Sequence, residues 1–141
     1  MQAAPYSFKD GDEVKTINLK MGHLKGQKHP VTGVPYDKDG FPIFDSKFNA
    51  KIDESLYDVR DRIQFKEGTR QLQEHLLKSP ELKKMFTDKQ LQDIEKGKTP
   101  NGFTWHHHQD KGILQLVDKE THRLTGHTGG RAIWGGGPEK R

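Results

Sequence analysis

The stretch Thr104-Trp105-His106-His107-His108, followed by Gln115-Leu116-Val117 and then by His122 and His127, decides both the fold and the chemistry expected of this 141-residue chain. Five of the eight histidines lie between residues 106 and 127. In this order, three imidazoles can surround one divalent metal ion while a fourth stands beside it as a base. Cleavage of a phosphodiester needs that combination of groups.

Local signals around the histidines predict a β-hairpin. Thr99-Pro100-Asn101-Gly102 is a strong turn signal, and residues 103–107 after it have the character of a strand. A second turn is expected at residues 110–112, and a second strand at residues 113–117.

A short helix is predicted directly after the second strand. Asp118 is suited to cap it, and the helical residues run from Lys119 to Leu124. His122 and His127 are five positions apart, which on an ideal helix separates them by about 140°. The helix must therefore unwind before His127 if both are to reach one metal ion, and Gly126 permits that.

The two adjacent histidines of the first strand are expected to have different tasks. Successive side chains of a strand point to opposite faces, so His106 and His107 cannot both be simple ligands of one ion. One can bind a metal while the other orients a water molecule. With no cysteine in the chain, a transition-metal site must use imidazole and carboxylate. A set of imidazoles suits zinc, nickel or cobalt, whereas magnesium prefers oxygen ligands.

Several further residues have simpler interpretations. A single histidine is more often structural or solvated than a metal ligand, and His23, His29 and His75 are assigned such roles. Trp105 is expected to be a buried anchor for the histidine strand. The candidates for phosphate contacts are His108, Lys111, Arg123 and Arg131. The alternative for the three cations is that they are solvated surface charges, and the alternative for His108 is that it is exposed.

Composition limits the class of protein. The length supports one domain, and a chain with 30% hydrophobic and 31% charged residues can form only a small core. The net charge of +4 is compatible with a phosphate-rich partner without identifying one. No apolar run approaches the roughly 20 residues of a membrane-spanning helix, and no leader opens the chain. We therefore expect a soluble protein, either cytosolic or excised from a longer chain.

The sequence predicts an α+β fold with two segments. Residues 1–67 form an irregular N-terminal segment, rich in glycine and proline, that packs on the core; residues 68–141 contain a helical lead-in and the core. The aromatic and aliphatic residues of the first segment are expected to pack onto the chain's own helices, with anchoring of a partner as the alternative. These residues are Phe41, Ile43, Phe44 and Phe48.

Three short helices are predicted before the hairpin. Thr69 is interpreted as the N-cap of a helix over residues 70–78. Ser79-Pro80 opens a second helix, and Thr87 with Gln90 forms the capping box of a third. The leucines assigned to one buried face of the first helix are Leu72, Leu76 and Leu77.

The histidine region resembles a known nuclease family. The residues that carry the resemblance are Gly102-Phe103-Thr104-Trp105-His106-His107, Leu116-Val117, His122 and His127-Thr128-Gly129-Gly130, within a motif spanning residues 87–134. They are similar to the WHH branch of the HNH/endonuclease VII superfamily, whose members have a ββα-metal fold and often form the toxic ends of bacterial polymorphic toxins. The resemblance implies a single-metal endonuclease with a cognate immunity protein as its partner.

A weaker resemblance lies upstream. Thr32-Gly33-Val34-Pro35 and residues 40–44 are similar to the segment that precedes the nuclease in LXG-type secreted toxins. This implies secretion as part of a larger bacterial toxin, action in the target-cell cytoplasm, and no membrane insertion by this domain.

Carried over by position, the resemblance makes His106 a metal ligand and His107 the general base, with His122 and His127 completing the metal site. The chain departs from the pattern in two ways. Colicin-type relatives space their last two histidines by four residues instead of five. The middle asparagine of the superfamily has no counterpart in residues 111–115.

The sequence therefore predicts a metal-dependent, non-specific DNA endonuclease using one divalent ion: zinc, nickel, magnesium or manganese. An RNase of the same fold is the nearest alternative, because nothing in the chain reads a sugar or a base. A non-enzymatic nucleic-acid-binding module with a structural zinc is the third, since a closed zinc site needs no additional base.

Overall fold

The elements of the chain follow an α+β order, as predicted, in a computed structural model that describes residues 4–136. Residues 1–3 and 137–141, the outer ends of the two predicted segments, lie outside the described residues. The strands are β1 (Ala4–Asp10), β2 (Glu13–Leu19), β3 (Phe48–Lys51), β4 (Phe103–His107) and β5 (Ile113–Asp118). The helices are α1 (Asp61–Lys78), α2 (Pro80–Lys83), α3 (Asp88–Glu95) and α4 (Lys119–Leu124).

The predicted strand, strand and helix around the histidines are confirmed. Strand β4 covers the predicted residues, and β5 is one residue longer than expected. They pair antiparallel, with Trp105 opposite Leu116 and His106 opposite Gln115. Asp118 caps α4 by accepting a hydrogen bond from the backbone nitrogen of Thr121. Helix α4 therefore starts where β5 ends, and it contacts the histidine strand β4.

Strand β3 was not predicted, and it completes this sheet. It pairs antiparallel with β5, which gives the order β3-β5-β4. Helix α1 packs across this sheet, and the main core forms at their contact. The buried residues of this core are Ala50, Ile52, Leu72, Phe86, Ile94, Trp105, Leu114, Leu116 and Trp134.

The prediction that Thr69 caps a helix is wrong, because α1 begins at Asp61 and continues through that position. The hydroxyl of Thr69 donates to the carbonyl of Phe65 one turn earlier and accepts the indole hydrogen of Trp105. The preceding Gly68 is a residue of low helix propensity. A Cβ there would lie 3.2 Å from the ring of Trp105, so the glycine lets the helix approach the tryptophan closely. Packing on Trp105, which is only 2% exposed, offsets the low helix propensity.

The other predicted helix starts are correct. Ser79 accepts from the backbone nitrogen of Leu82, and Thr87 with Gln90 forms a complete capping box. The predicted face of α1 is wrong at Leu77, which is 88% exposed, while Leu72 is fully buried. The buried stripe instead continues from Leu72 to Leu76, one turn apart.

The N-terminal segment contains more regular structure than predicted. Strands β1 and β2 form an antiparallel hairpin outside the three-stranded sheet. Period-2 alternation is weak in this mostly exposed hairpin, which explains why the pattern was missed. The predicted boundary after residue 67 falls inside α1. The division into two segments stays a prediction.

The predicted packing of the N-terminal aromatic residues holds in part. Phe41 is 1% exposed and contacts the β1–β2 hairpin, while Phe44 is buried in a separate cluster with Val117. Phe48 packs against the main core. Ile43 does not pack inside, since it is 55% exposed.

Candidate metal centre

Three histidines converge from three neighbouring parts of the chain. His106 lies on β4, His122 on α4, and His127 in the loop that follows α4. One ring nitrogen from each lies within 4.8 Å of the corresponding nitrogens of the other two. The ring centroids are 4.7–5.2 Å apart. We call these residues the histidine cluster.

The loop geometry explains how two histidines five positions apart reach one point. Helix α4 ends at Leu124, and Thr125 leaves the helical region with φ −97° and ψ 98°. The unwinding expected before His127 therefore occurs at Thr125, one residue earlier than Gly126. Gly126 serves close packing, because a Cβ there would lie 3.0 Å from the side chain of Met21.

Hydrogen bonds fix the ring of one cluster member. The Nδ1 atom of His127 lies 2.6 Å from the carbonyl oxygen of Thr125, which can only accept. Nδ1 must therefore carry the proton, and Nε2 of this ring is the lone-pair nitrogen. Nδ1 of His106 lies 3.2 Å from Nε2 of His122, so two nitrogens of the cluster face each other directly.

Phe44 covers all three imidazoles. Its ring centroid lies 4.8 Å from that of His106, 5.2 Å from His122 and 5.3 Å from His127. Phe44 is itself 6% exposed. The N-terminal segment thus supplies an apolar wall that limits water at the cluster.

The environment keeps these imidazoles neutral. Burial lowers the pKa of His106 well below its ordinary value, and His127 and His122 lower it further. Burial, followed by His127, lowers the pKa of His122 to about 4. The pKa of His127 is also lowered, mainly by burial. A neutral imidazole is the form that binds a metal ion, so the cluster is in its ligand form at neutral pH.

The donor set fits a divalent transition-metal ion. Three neutral imidazole nitrogens converge, and a carbonyl oxygen holds one ring in a defined tautomer, as the second shell of a metal site does. Nitrogen ligands of this kind suit zinc or nickel better than magnesium. The cluster could therefore hold a metal ion.

His107 points away from the cluster, as expected for the next residue of a strand. It is 6% exposed and packs between the rings of Phe65 and Trp134, with centroid distances of 5.4 and 5.2 Å. Its Nε2 atom lies 2.7 Å from Oε1 of Gln64 and 3.7 Å from a carboxylate oxygen of Asp61.

Gln64 determines the tautomer of His107. Gln64 is fully buried in α1, and its amide nitrogen donates to the carbonyl oxygens of Leu56 and Tyr57 at 2.9 and 3.0 Å. These two acceptors fix the orientation of the amide, so its oxygen must face His107. An amide oxygen only accepts, and Nε2 of His107 therefore carries the proton. The lone pair of the neutral ring is on Nδ1.

Both kinds of histidine line one cavity of about 550 Å³. Arg131 and Asp61 lie on its wall and form an ion pair, with side chains 12% and 19% exposed. Of the predicted phosphate-contact residues, Arg131 is the one that lines this cavity.

The other three candidates for phosphate contacts lie elsewhere. Lys111 lines a different cavity with Asp10 and Lys15. Arg123 is exposed on α4 and pairs with Glu120. His108 accepts a hydrogen bond from the backbone nitrogen of Asp110, and its carbonyl accepts from Trp134. Their roles in phosphate binding stay predictions.

Sequence reasoning missed three residues of this site: Phe44, Asp61 and Gln64. Phe44 was expected to pack on helices, and no local pattern places it over the cluster. Asp61 and Gln64 lie on the first two turns of α1, which the prediction left outside the helix. Correct helical spacing would have placed Asp61, Gln64 and Phe65 on one face.

A family model described as the DNase/tRNase domain of colicin-like bacteriocin matches residues 34–129, about two thirds of the chain. This span contains the whole histidine cluster, His107, Gln64 and Phe44. Searches of curated proteins and of solved structures found no match. No helix within residues 4–136 combines the length and apolar character that spanning a membrane requires.

Proposed function

The chain belongs to the family of DNase/tRNase domains of colicin-like bacteriocins and is a nuclease toxin domain, and from this premise we propose that it is a single-metal endonuclease of the HNH type, in its WHH branch, that hydrolyses DNA without sequence specificity. One observation carries the proposal. Three convergent imidazoles and a separately held fourth histidine line the same cavity. This arrangement separates a metal site from a base, which hydrolysis by one metal ion needs.

The number of ligands in the cluster argues against a structural zinc site. Structural zinc is held by four protein ligands, whereas catalytic zinc keeps three and leaves one position for water or substrate. Among the described residues, the cluster supplies three histidines, and it borders a cavity large enough for a phosphate group. A catalytic centre accounts for both features.

In this proposal His106, His122 and His127 hold the ion. When bound, a divalent ion there would polarise a nonbridging phosphate oxygen and stabilise negative charge on the leaving 3′ oxygen. Zinc and nickel are the ions that imidazole ligands favour; magnesium and manganese are the other ions to test.

His107 acts as the general base. Its Nδ1 lone pair removes a proton from the water molecule that attacks phosphorus. The new P–O bond forms as the bond to the 3′ oxygen breaks, and the 3′ oxyanion takes a proton from solvent. Arg131, on the cavity wall beside Asp61, is positioned to contact the phosphate.

Gln64 and Asp61 support that proton transfer from the opposite side of the ring. The amide oxygen of Gln64 accepts the Nε2 hydrogen, which keeps Nδ1 as the lone-pair nitrogen. The carboxylate of Asp61, 3.7 Å from Nε2, stabilises the imidazolium that forms when Nδ1 is protonated. Gln64 is a positioning residue, since it acts through His107.

Replacing Gln64 with leucine is expected to lower kcat by roughly 10- to 100-fold, the usual cost of losing an orienting partner, with little change in KM. The matched control is Gln71→Leu. Gln71 lies on the same helix and its amide also bonds backbone groups, those of Lys51, without touching a histidine.

Gln64→Leu loses a buried hydrogen bond to His107 and two to backbone carbonyls and will lose stability, whereas the bonds that Gln71 makes to Lys51 are exposed, so kinetics are combined with ¹⁵N NMR of the His107 ring. We expect protonated Nε2 in the wild-type protein and in Gln71→Leu, and a tautomer mixture in Gln64→Leu. A wild-type ring protonated on Nδ1 would refute this assignment, as would equal kcat for the two variants.

The choice between DNA and RNA rests on the family and the mechanism. The family description names both DNases and tRNases, so an RNase is the alternative. A histidine base placed to activate water favours hydrolysis, which either polymer can undergo. RNA can also be cleaved by its own 2′-hydroxyl, and DNA cannot. DNA is therefore the substrate for which this site is most needed.

A nuclease toxin implies an inhibitory partner protein and a secretion route to the target cell. We propose that the domain is secreted as the end of a larger bacterial toxin of the LXG type and acts in the cytoplasm of the target cell. The producing cell then needs an immunity protein. The net charge of +4 favours rapid association with an acidic inhibitor.

Expression of the wild-type domain alone in a bacterial cytoplasm is expected to stop growth and degrade the chromosome, whereas His107→Ala should be tolerated at the same expression level. The measurements are growth after induction, chromosomal integrity and the amount of folded protein. Normal growth with abundant folded wild-type protein and intact nucleic acid would contradict the toxin proposal.

A further inference from the structure

A cationic groove runs along α1 next to the histidine cavity. We define the basic groove by its lining residues, which enclose about 500 Å³: Arg62, Phe65, Lys66, Thr69, Lys96, Gly97 and Thr99. Phe65 lines both the groove and the histidine cavity. The two spaces are therefore neighbours across a single side chain.

The groove has two walls of different origin. One is a stripe of α1, in which Arg62, Phe65, Lys66 and Thr69 follow the helical repeat and so share a face. The other is the segment 96–99 after α3. Gly97 adopts φ +79° there, and the backbone nitrogen of Lys98 bonds back to the end of α3, which fixes this turn.

Hydrogen bonding anchors the floor of the groove to the active cavity. Thr69 is 1% exposed, and its hydroxyl accepts from the indole of Trp105. Trp105 in turn lines the histidine cavity. The hydrogen bond between Thr69 and Trp105 therefore links a residue of the groove to a residue of the cavity.

The side chains that line the groove carry positive charge only. Arg62, Lys66 and Lys96 are exposed, and no carboxylate lines the groove. None of the three takes part in the ion pairs found among residues 4–136. The nearby acidic residues of α1 are already engaged: Asp61 with Arg131, and Glu67 with Arg70. The cations are thus available to an external anion.

We propose that the basic groove binds backbone phosphates of the DNA strand that is being cut, away from the scissile phosphate in the histidine cavity. A groove that is lined by three cations and no acid, and that shares the side chain of Phe65 with the histidine cavity, fits a polyanion that continues beyond the reacting group. This inference rests on the proposed function, because it takes the cavity as the place of cleavage.

The test uses a charge-neutralising variant, Arg62→Gln/Lys66→Gln/Lys96→Gln, and a matched control, Lys78→Gln/Lys83→Gln/Lys84→Gln. The control residues are exposed, line neither space, and begin about 24 Å along α1 from Arg62. Both triples remove the same charge. Binding of a labelled DNA duplex is measured by fluorescence anisotropy over a range of salt concentrations, in a His107→Ala background that is expected to slow cleavage.

We expect the groove variant to bind the duplex on the order of tenfold more weakly than the control, and its slope of log K against log salt to be shallower by about 2.7, the value for three lost phosphate contacts. The small diester bis(p-nitrophenyl) phosphate cannot reach the groove. Its hydrolysis should be unchanged when the same three substitutions are made in the protein that retains His107. Equal affinity and slope for the two triple variants would overturn the proposal.

The experiments distinguish a failure of the proposed nuclease function from a failure of the proposed DNA-binding groove. If the wild-type protein hydrolyses neither DNA nor the small diester, the proposed function is wrong. The binding comparison still decides whether the groove holds DNA, because it does not depend on cleavage.

Discussion

Replacing His107 with alanine is expected to slow DNA cleavage by on the order of 10²–10⁴, the usual contribution of a general base, while metal binding persists. The reason is the geometry of β4. His107 points away from the histidine cluster, so its loss removes the proton acceptor and leaves all three proposed ligands in place. The measurements are initial rates of plasmid cleavage and calorimetric titration with zinc.

The structure indicates that His107→Ala also lowers the stability of the fold. His107 is buried, and truncation leaves the amide oxygen of Gln64 without its partner, which costs about 1–3 kcal/mol. His107→Asn is the companion variant, since an amide can still donate to Gln64 but cannot act as a base near neutral pH. His75→Ala is the control, because His75 is exposed and contacts Phe48. Cleavage by either His107 variant within a few fold of wild type would rule out the assigned role.

Alanine at His106 or His127 is expected to weaken zinc or nickel binding by more than about 100-fold, since even the loss of an outer-shell partner costs about 10- to 100-fold. Cleavage should be lost in parallel. His122→Ala should behave in the same way, because its Nε2 faces Nδ1 of His106 at 3.2 Å.

The controls for metal binding are His23→Ala and His75→Ala, two exposed histidines outside the cluster. Calorimetry shows whether affinity falls in the cluster variants alone. Because His106 is 2% exposed, its variant is also examined by thermal unfolding in the presence of chelator. Equal metal affinity in the cluster variants and the controls would remove the proposed site.

The parts of the fold that could be predicted depend on neighbouring residues. Thr87 and Gln90 satisfy each other's backbone groups across one helical turn, and Asp118 caps α4 directly. The turn at residues 99–102 separates α3 from β4. Such signals need no knowledge of distant contacts, and the start of α3 and the bounds of β4 and α4 were predicted correctly.

The parts that could not be predicted depend on contacts between distant residues. Gln64 and His107 are 43 positions apart, and a single sequence contains no pattern that pairs them. Phe44 covers the histidine cluster from a segment four residues before β3, and the pairing of β3 with β5 was also missed. The start of α1 was placed at Thr69 and not at Asp61, and the close contact of Gly68 with Trp105, which is part of this longer helix, is visible only in three dimensions.

We expect the histidine cluster to hold the metal ion of a DNA-cleaving site. The most direct test incubates the purified domain with plasmid DNA and with total RNA in three states: as isolated, after chelation, and after zinc, nickel, magnesium or manganese is restored. DNA should be cut in a metal-dependent way, chelation should stop the reaction, and a restored ion should revive it in the wild type but not in His107→Ala. DNA cleavage that continues unchanged in excess chelator, or no cleavage of DNA with any of the four ions, would contradict this expectation.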